Sequence, residues 1–173
     1  EAHFFIDNIL NELHLNPESQ LLDAGCGKGR HSIYLAKKNF NVIGIDLAEE
    51  SITEAKKNET EHLHFFIHDI RNVFAENKFD VVFNLFTSFG YFNSEKENQD
   101  VINSFAAALK PNGILVIDFF NAKKIIPLLP FSEKKTIEGI DFFIEKKLEN
   151  NFIEKKISFT DDGQNFCFTE RVE

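Results

Sequence analysis

Residues 21–30 read LLDAGCGKGR: an apolar pair, an alanine-spaced aspartate, then Gly25, Gly27 and Gly29 at alternate positions before Arg30. Glycine permits sharp turns and lets a ligand come close to the backbone. The stretch is therefore a strand-to-helix turn built for close approach, with the carboxylate of Asp23 at its mouth. On either side, QLLDA (20–24) and NVIGID (41–46) are short apolar runs with the helix-like HSIYLAKKN (31–39) between them. That is a βαβ unit.

The alternation continues outward. A helix is expected over 49–58, strands at LHFFI (63–67) and FDVVFNLF (79–86), a helix over 95–109, a closing KPNG (110–113) and a fifth strand at ILVIDFF (114–120). Upstream, HFFIDNILNELH (3–14) sets Phe5, Ile6, Ile9, Leu10 and Leu13 at helical spacing, and Pro17 ends the pattern. Apolar strands alternating with helices predict a doubly wound, Rossmann-like α/β fold: a parallel sheet with helices on both faces. Past residue 121 the pattern changes. LLPFSEKK reads as a linker, and residues 136–173 are rich in β-formers broken by NN and DDG, which are hairpin signals. FIEKK occurs at 143–147 and again at 152–156, as two arms of an antiparallel meander. The expected organisation is a Rossmann-like domain with an N-terminal helix over 1–121, then a linker and antiparallel β insert or lid over 122–173, incomplete at its C-terminus.

A chain of 173 residues with 43% hydrophobic content can build one sizeable core. Lys and Arg number 19 against 28 Asp and Glu, a formal charge of -9, so the basic footprint that nucleic acid or an anionic membrane needs is missing. The partner expected is a small-molecule substrate, with the chain a monomer or weak homodimer. Two cysteines make no disulfide framework, and no leader or bilayer-length apolar run occurs, which fits the cytoplasm. The chain opens on Glu1 and contains no Met, the mark of a fragment or of a sequence that has lost its methionines, while Phe occurs 21 times.

The residues around the glycines narrow the ligand. A dinucleotide fingerprint, G-x-G-x-x-G, would want glycine where Arg30 stands. Asp23 would repel a pyrophosphate and welcome an ammonium, which favours a nucleoside with an amino-acid tail over NAD. Asp46 ends the second strand about twenty residues after the loop, where an acidic side chain accepts hydrogen bonds from ribose hydroxyls. Asp69, in IHDIR after the third strand, is placed to accept from an exocyclic adenine amine. Cys26 has no paired base at fixed geometry and reads as a small residue chosen for fit. His62, His64 and His68 lack a cysteine or carboxylate set at ligand spacing, so no metal is expected. Arg30 is as free to pair with a ligand carboxylate as with a surface acid, with the surface favoured. Asn84 either satisfies loose backbone groups or serves the ligand, and the aromatic residues of FTSFGYF (86–92) either fill the core or line a pocket.

With these residues in view, LLDAGCGKGRHSIYLA, VIGIDLAEESI, HDI, FDVVFNLFTSFGYF and LKPNGILVIDFF resemble the ordered motifs of the class I S-adenosylmethionine-dependent methyltransferases over about residues 20–120. The wording GCGKGRHSIYLA and SFGYF is similar to the small-molecule members of methyltransferase-domain type. The resemblance implies S-adenosylmethionine as cofactor, S-adenosylhomocysteine as product, and transfer of a methyl group to a small-molecule acceptor by in-line displacement. It also implies that Asp23, Gly25 and Cys26 lie at the methionine end and that Gly27 and Gly29 allow close approach. By the same resemblance Asp46 holds the ribose, Leu47 flanks the adenine, Asp69 and Ile70 read its edge, and Asn84, Leu85 and Phe86 border the methyl. No catalytic residue is assigned: His31, His68 and Tyr91 are candidates for a general base only where the acceptor must lose a proton. The alternatives are a non-catalytic adenosyl-ligand-binding or regulatory domain and an NAD-dependent oxidoreductase. The family sheet closes with a further helix and hairpin, and FTERVE at 168–173 resembles the lead-in to that part. The stretch 136–173 resembles the antiparallel insert that some members place over the substrate opening.

Overall fold

The computed structural model describes residues 2–86, 88–92, 94–150 and 152–172. They form two compact units, one of Glu1–Phe89 with Asn93–Phe119 and one of Gly90–Phe92 with Phe120–Glu173.

In the first unit five parallel strands lie in the order β3-β2-β1-β4-β5. They are β1 (Gln20–Ala24), β2 (Asn41–Asp46), β3 (Leu63–Ile67), β4 (Phe79–Asn84) and β5 (Leu109–Ile117). The helices between them are α2 (Arg30–Ala36), α3 (Glu49–Ala55) with a 3-10 turn at Lys56–Asn58, and α4 (Glu95–Ala108), preceded in the chain by α1 (Ala2–Leu13). This is the doubly wound, Rossmann-like sheet expected from the alternation. β1 lies at its centre, hydrogen-bonded to β2 on one side and β4 on the other. The connections run away from β1 in opposite directions, so the carboxyl ends of β1 and β4 flank the switch point where ligands bind in open α/β sheets. Phe65, Phe83, Leu21 and Val81 are fully buried in one core cluster, and α1 packs Phe5, Ile9, Leu10 and Leu13 onto it. α4 starts on an N-cap: Ser94 Oγ accepts from the Glu97 N–H at 3.3 Å and donates to Glu97 Oε2 at 2.9 Å.

Two strand ends differ from the sequence expectation. β4 stops at Asn84 rather than 86, because Phe86 takes φ +55° and cannot continue an extended chain. KPNG does not close the preceding helix as a separate turn; it lies inside β5. Phe79 pairs with Leu109 but Val81 pairs with Ile114, so the extra residues of β5 form a bulge that Asn112 turns at φ +65°. β5 then ends at Ile117, short of 120.

The second unit carries α5 (Ala122–Ile125), a 3-10 turn at Ile126–Leu128 and a four-stranded antiparallel meander, β6 (Phe131–Ile137), β7 (Ile140–Glu149), β8 (Phe152–Asp161) and β9 (Gln164–Val172). FSEKK is therefore the first strand and not part of a linker. The two FIEKK copies fall on β7 and β8 as opposed arms, with Glu145 across from Lys156 and Lys147 across from Glu154. On the other face Phe142, Phe159 and Phe166 meet ring to ring at centroid spacings of 4.7 and 5.0 Å. The DDG turn carries Asp162 and Gly163 at φ +45° and +77°. The NN signal falls partly outside the described residues, since Asn151 is not among them. Among the described residues no helix is long and apolar enough to cross a membrane.

Candidate active site at the switch point

The glycine turn between β1 and α2 is held to the end of β2 by its own backbone. Gly25 and Cys26 N–H both donate to the Ile45 carbonyl, at 2.8 and 3.0 Å. Gly27 N–H donates to Asp46 Oδ2 at 2.8 Å, and Ala48 N–H donates to Asp46 Oδ1 at 2.8 Å. Each carboxylate oxygen can accept a second bond, so Asp46 fixes the loop and keeps capacity for a ligand. All three alternating glycines have positive φ. A Cβ at Gly29 would stand 2.5 Å from the Phe65 ring, whereas one at Gly27 would meet nothing within 4 Å. Gly29 is bare for packing, and Gly27 opens onto free space.

Asp23, one residue before the end of β1, is buried. Its side chain is 2% exposed and accepts a 2.5 Å bond from Ser32 Oγ in α2. Burial pushes its pKa up to about 6, against hydrogen bonds from Ser32 that pull the other way. Cys26 is buried among the same residues, and burial pushes its thiol well above the ordinary value, which keeps it a neutral packing group at pH 7.

Asn84 closes the switch point from the β4 side. It is 0% exposed, and its Nδ2 donates to the Ala24 carbonyl at 2.7 Å. That bond fixes the amide orientation and leaves Oδ1 buried with no hydrogen-bond partner among the described residues. A buried acceptor left without a donor costs about 1–3 kcal/mol. Leu85 is buried, and Ser88 Oγ donates to the Leu85 carbonyl at 2.9 Å. Phe86 is 44% exposed in its left-handed conformation, a strain on the order of 1–3 kcal/mol. Its ring stacks on His31 with centroids 4.5 Å apart, takes the edge of Phe5 at 5.8 Å and lies under the Arg30 guanidinium at 5.1 Å. Arg30 has no carboxylate partner among the described residues; its Nη2 meets His31 Nε2 at 3.3 Å. His31 is 8% exposed, and burial with the Arg30 charge pushes its pKa down to about 4, so the ring is neutral at pH 7.

The Asp69 turn starts beside Asp46, because His68 N–H donates to the Asp46 carbonyl at 3.0 Å. The carboxylate itself is engaged: the Arg71 N–H reaches Oδ1 at 3.0 Å and Nη2 reaches Oδ2 at 2.6 Å, which holds the Asp69 pKa below the usual carboxylate range. Arg71 also bonds Glu97 on α4, and the Ile70 carbonyl accepts from Ser104 Oγ at 2.6 Å. Leu47 is exposed at the end of β2. Tyr91, one of the candidate bases, is exposed and groups with the second unit. Among the described residues no three His, Cys, Asp or Glu side chains converge as a metal site.

The switch point thus gathers the glycine turn, Asp46 and Asn84, with Phe86 and His31 at the β4 exit and Asp69 on the next turn along. Sequence reasoning missed Ser32, whose only signal was a small hydroxyl in the first turn after the glycines. It also missed Asp118, whose carboxylate accepts the Phe86 N–H at 3.1 Å and which read as an ordinary strand residue in ILVIDFF.

Residues 15–157 match the family model described as a methyltransferase domain. The dTDP-3-amino-3,4,6-trideoxy-alpha-D-glucopyranose N,N-dimethyltransferase of Streptomyces venezuelae is 34% identical over 101 residues, 58% of this chain and 42% of that protein. A glycine/sarcosine N-methyltransferase of Halorhodospira halochloris is 28% identical over 135 residues, 73% of this chain and 47% of that protein. This chain thus spans less than half the length of either. In fold it is similar to the S-adenosylmethionine-bound amino pentose methyltransferase CalS10 of Micromonospora echinaspora, with a TM-score of 0.77 at 21% identity over 99% of this chain and 75% of that one.

Proposed function

Because the chain belongs to the class I S-adenosylmethionine-dependent methyltransferases, we propose that it moves a methyl group from S-adenosylmethionine to an amine nitrogen of a small organic acceptor, leaving S-adenosylhomocysteine. The observation that carries the cofactor site is the Oδ1 of Asn84, buried beside the glycine turn with no hydrogen-bond partner among the described residues. It offers an acceptor to an N–H at the Gly25 end of the turn, where the Asn84 amide stands 3.6 Å from the place a Cβ would take. The nitrogen acceptor is supported by the two curated relatives, which act on an amino sugar and on glycine or sarcosine. The acidic, Phe-rich composition agrees with an uncharged or cationic, partly apolar acceptor.

In this reading Gly25, Cys26 and Gly27 form the floor for the methionine end. Asp23 lends its charge from beneath that floor rather than touching the ligand. Asp46 takes the ribose hydroxyls, Leu47 and Ile70 flank the adenine, and Asp69, braced by Arg71, meets its edge. Gly29 serves by letting the turn pack on Phe65. Leu85 and Phe86 border the transferring methyl. The cofactor, when bound, supplies a methyl carbon already activated as a sulfonium.

What remains for the chain is to bind, align and keep water out, and alignment alone is worth roughly 7 to 11 kcal/mol of barrier. No nucleophilic side chain is required, and the buried Cys26 thiol does not provide one. His31, with a pKa of about 4, is a poor proton acceptor at pH 7. The acceptor therefore releases its proton to solvent rather than to this histidine.

Transfer of labelled methyl from S-adenosylmethionine to glycine, sarcosine and an amino-sugar nucleotide tests the reading. Label in an amine product is expected; label only in oxygen or carbon acceptors would overturn the nitrogen assignment. Cofactor binding without turnover on any acceptor would favour the regulatory-domain alternative.

A further inference from the structure

Asp118, the first residue beyond β5, holds the exit of β4 from two sides. Its backbone N–H donates to the Asn84 carbonyl at 2.9 Å, and its carboxylate Oδ2 accepts the Phe86 N–H at 3.1 Å. Between those two anchors the chain turns from a buried strand residue into the left-handed conformation of Phe86, φ +55°. An aromatic residue does not rest there unaided. The consequence is the placement of one ring: Phe86 stacks on His31 with planes 13° apart, meets Phe5 of α1 edge to face, lies under the Arg30 guanidinium and stays half-exposed.

We propose that Asp118 is a positioning residue, whose bond to the Phe86 N–H sets the Phe86–His31 stack as the wall that faces the methyl acceptor. The inference rests on the site reading given above, in which Phe86 borders the transferring methyl. The two stacked rings are themselves uncharged at neutral pH, since the imidazole under Phe86 is neutral, while Arg30 and Asp118 bring charge beside them. The wall orients an acceptor by its flat apolar face while the cofactor floor, built from the glycine turn and Asp46, does not depend on it.

The clamp can be tested on the whole chain without knowing the acceptor. Arg30, His3 and Asp118 are the charged or titratable groups that act on His31. The Asp118 charge favours the protonated imidazole, while burial and Arg30 disfavour it. In a histidine-labelled protein followed by NMR, Asp118→Ala releases Phe86, uncovers His31 and moves its titration upward from about 4 toward the ordinary 6.5. Asp118→Asn keeps an oxygen acceptor for the Phe86 N–H, so the stack stays and the titration does not rise. If Asp118 acted only through its charge, both variants would shift the titration downward, and the proposal would be wrong.

Titration with S-adenosylhomocysteine runs beside it. Affinity within about twofold of wild type in Asp118→Ala is expected, and a tenfold loss would show that Asp118 serves the cofactor floor instead. If the wild-type protein bound no S-adenosylhomocysteine, the site reading would fail, while a rising His31 titration in Asp118→Ala alone would still establish the clamp. With an acceptor from the labelled-methyl screen, Asp118→Ala should raise KM about tenfold or more, and Asp118→Asn should restore it; unchanged KM in both would remove the wall from acceptor binding.

Discussion

Asp23 and His31 are buried titratable groups whose charged forms the fold resists, and their contributions to stability run in opposite directions with pH. Folding raises Asp23 from the ordinary 3.8 to about 6, so the folded state holds that proton more tightly. The contribution of Asp23 therefore worsens as pH rises between those values and is a full penalty above 6, on the order of 3 kcal/mol. Folding lowers His31 to about 4, so its contribution worsens as pH falls from 6.5 toward 4. Asp23→Asn should be more stable than wild type at pH 7 by up to about 3 kcal/mol, with the advantage fading as urea unfolding is repeated at pH 5 and 4. An advantage independent of pH would mean that Asp23 titrates normally in the fold. Gly27→Ala makes the complementary point, because the new Cβ meets nothing and only φ +54° resists it. A stability loss of about 1 kcal/mol with at least a tenfold loss of S-adenosylhomocysteine affinity is expected. A large loss of stability with unchanged affinity would make Gly27 a packing residue. The orientation of Asp23 was not legible in the sequence: helices cover both faces of β1, so alternation along QLLDA carries no signal of which way a side chain turns.

At the scale of elements, the turn and β2 converge on one ring. A Cβ at Gly29 or at Gly44 would stand 2.5 Å from Phe65, but only Gly29 also has positive φ, at +77°. Gly44→Ala is expected to destabilise the protein by a few kcal/mol, and adding Phe65→Leu should recover most of that. Gly29→Ala should not be recovered by the same change. Thermal unfolding of the four variants checks this; equal rescue at both positions would show that φ is not the constraint at Gly29. The bounds of β1, β2 and β3 were legible because each is a short apolar run closed by its own local stop. The end of β4 was not, since FDVVFNLF carries apolar residues on past Asn84 to Phe86 with no turn residue to stop it, and the Phe86 N–H is held by Asp118, which follows α4 and β5 in the chain. KPNG carries every local mark of a turn, and it is the pairing with β4 that makes it a bulge. FSEKK looked like linker because β6 is an edge strand, paired only with β7, and a polar edge is how sheets discourage further pairing.

At the scale of the whole molecule, the order β3-β2-β1-β4-β5 explains how motifs scattered between residues 23 and 118 reach one place. Every one of them lies at the carboxyl end of a strand or just beyond it, and the strands are parallel. That is why a nucleoside with an amino-acid tail was legible in the residues, and the cofactor itself in the family resemblance: the glycine turn and Asp46 each do local chemistry in a fixed order. The acceptor was not legible, because the wall proposed for it comes from side chains on α1 and α2 and just beyond β4 and β5, whose meeting no local pattern records. The net charge of -9 bears on partners rather than on fold, and it argues against polyanions without naming the acceptor. The most direct test of the account is isothermal titration of the chain with S-adenosylhomocysteine, beside Asp46→Ala and an NADH control. The account predicts micromolar binding that weakens tenfold or more in the variant, about 1.4 kcal/mol, and no binding of NADH. Equal affinity in wild type and Asp46→Ala, or binding of NADH in place of S-adenosylhomocysteine, would contradict it.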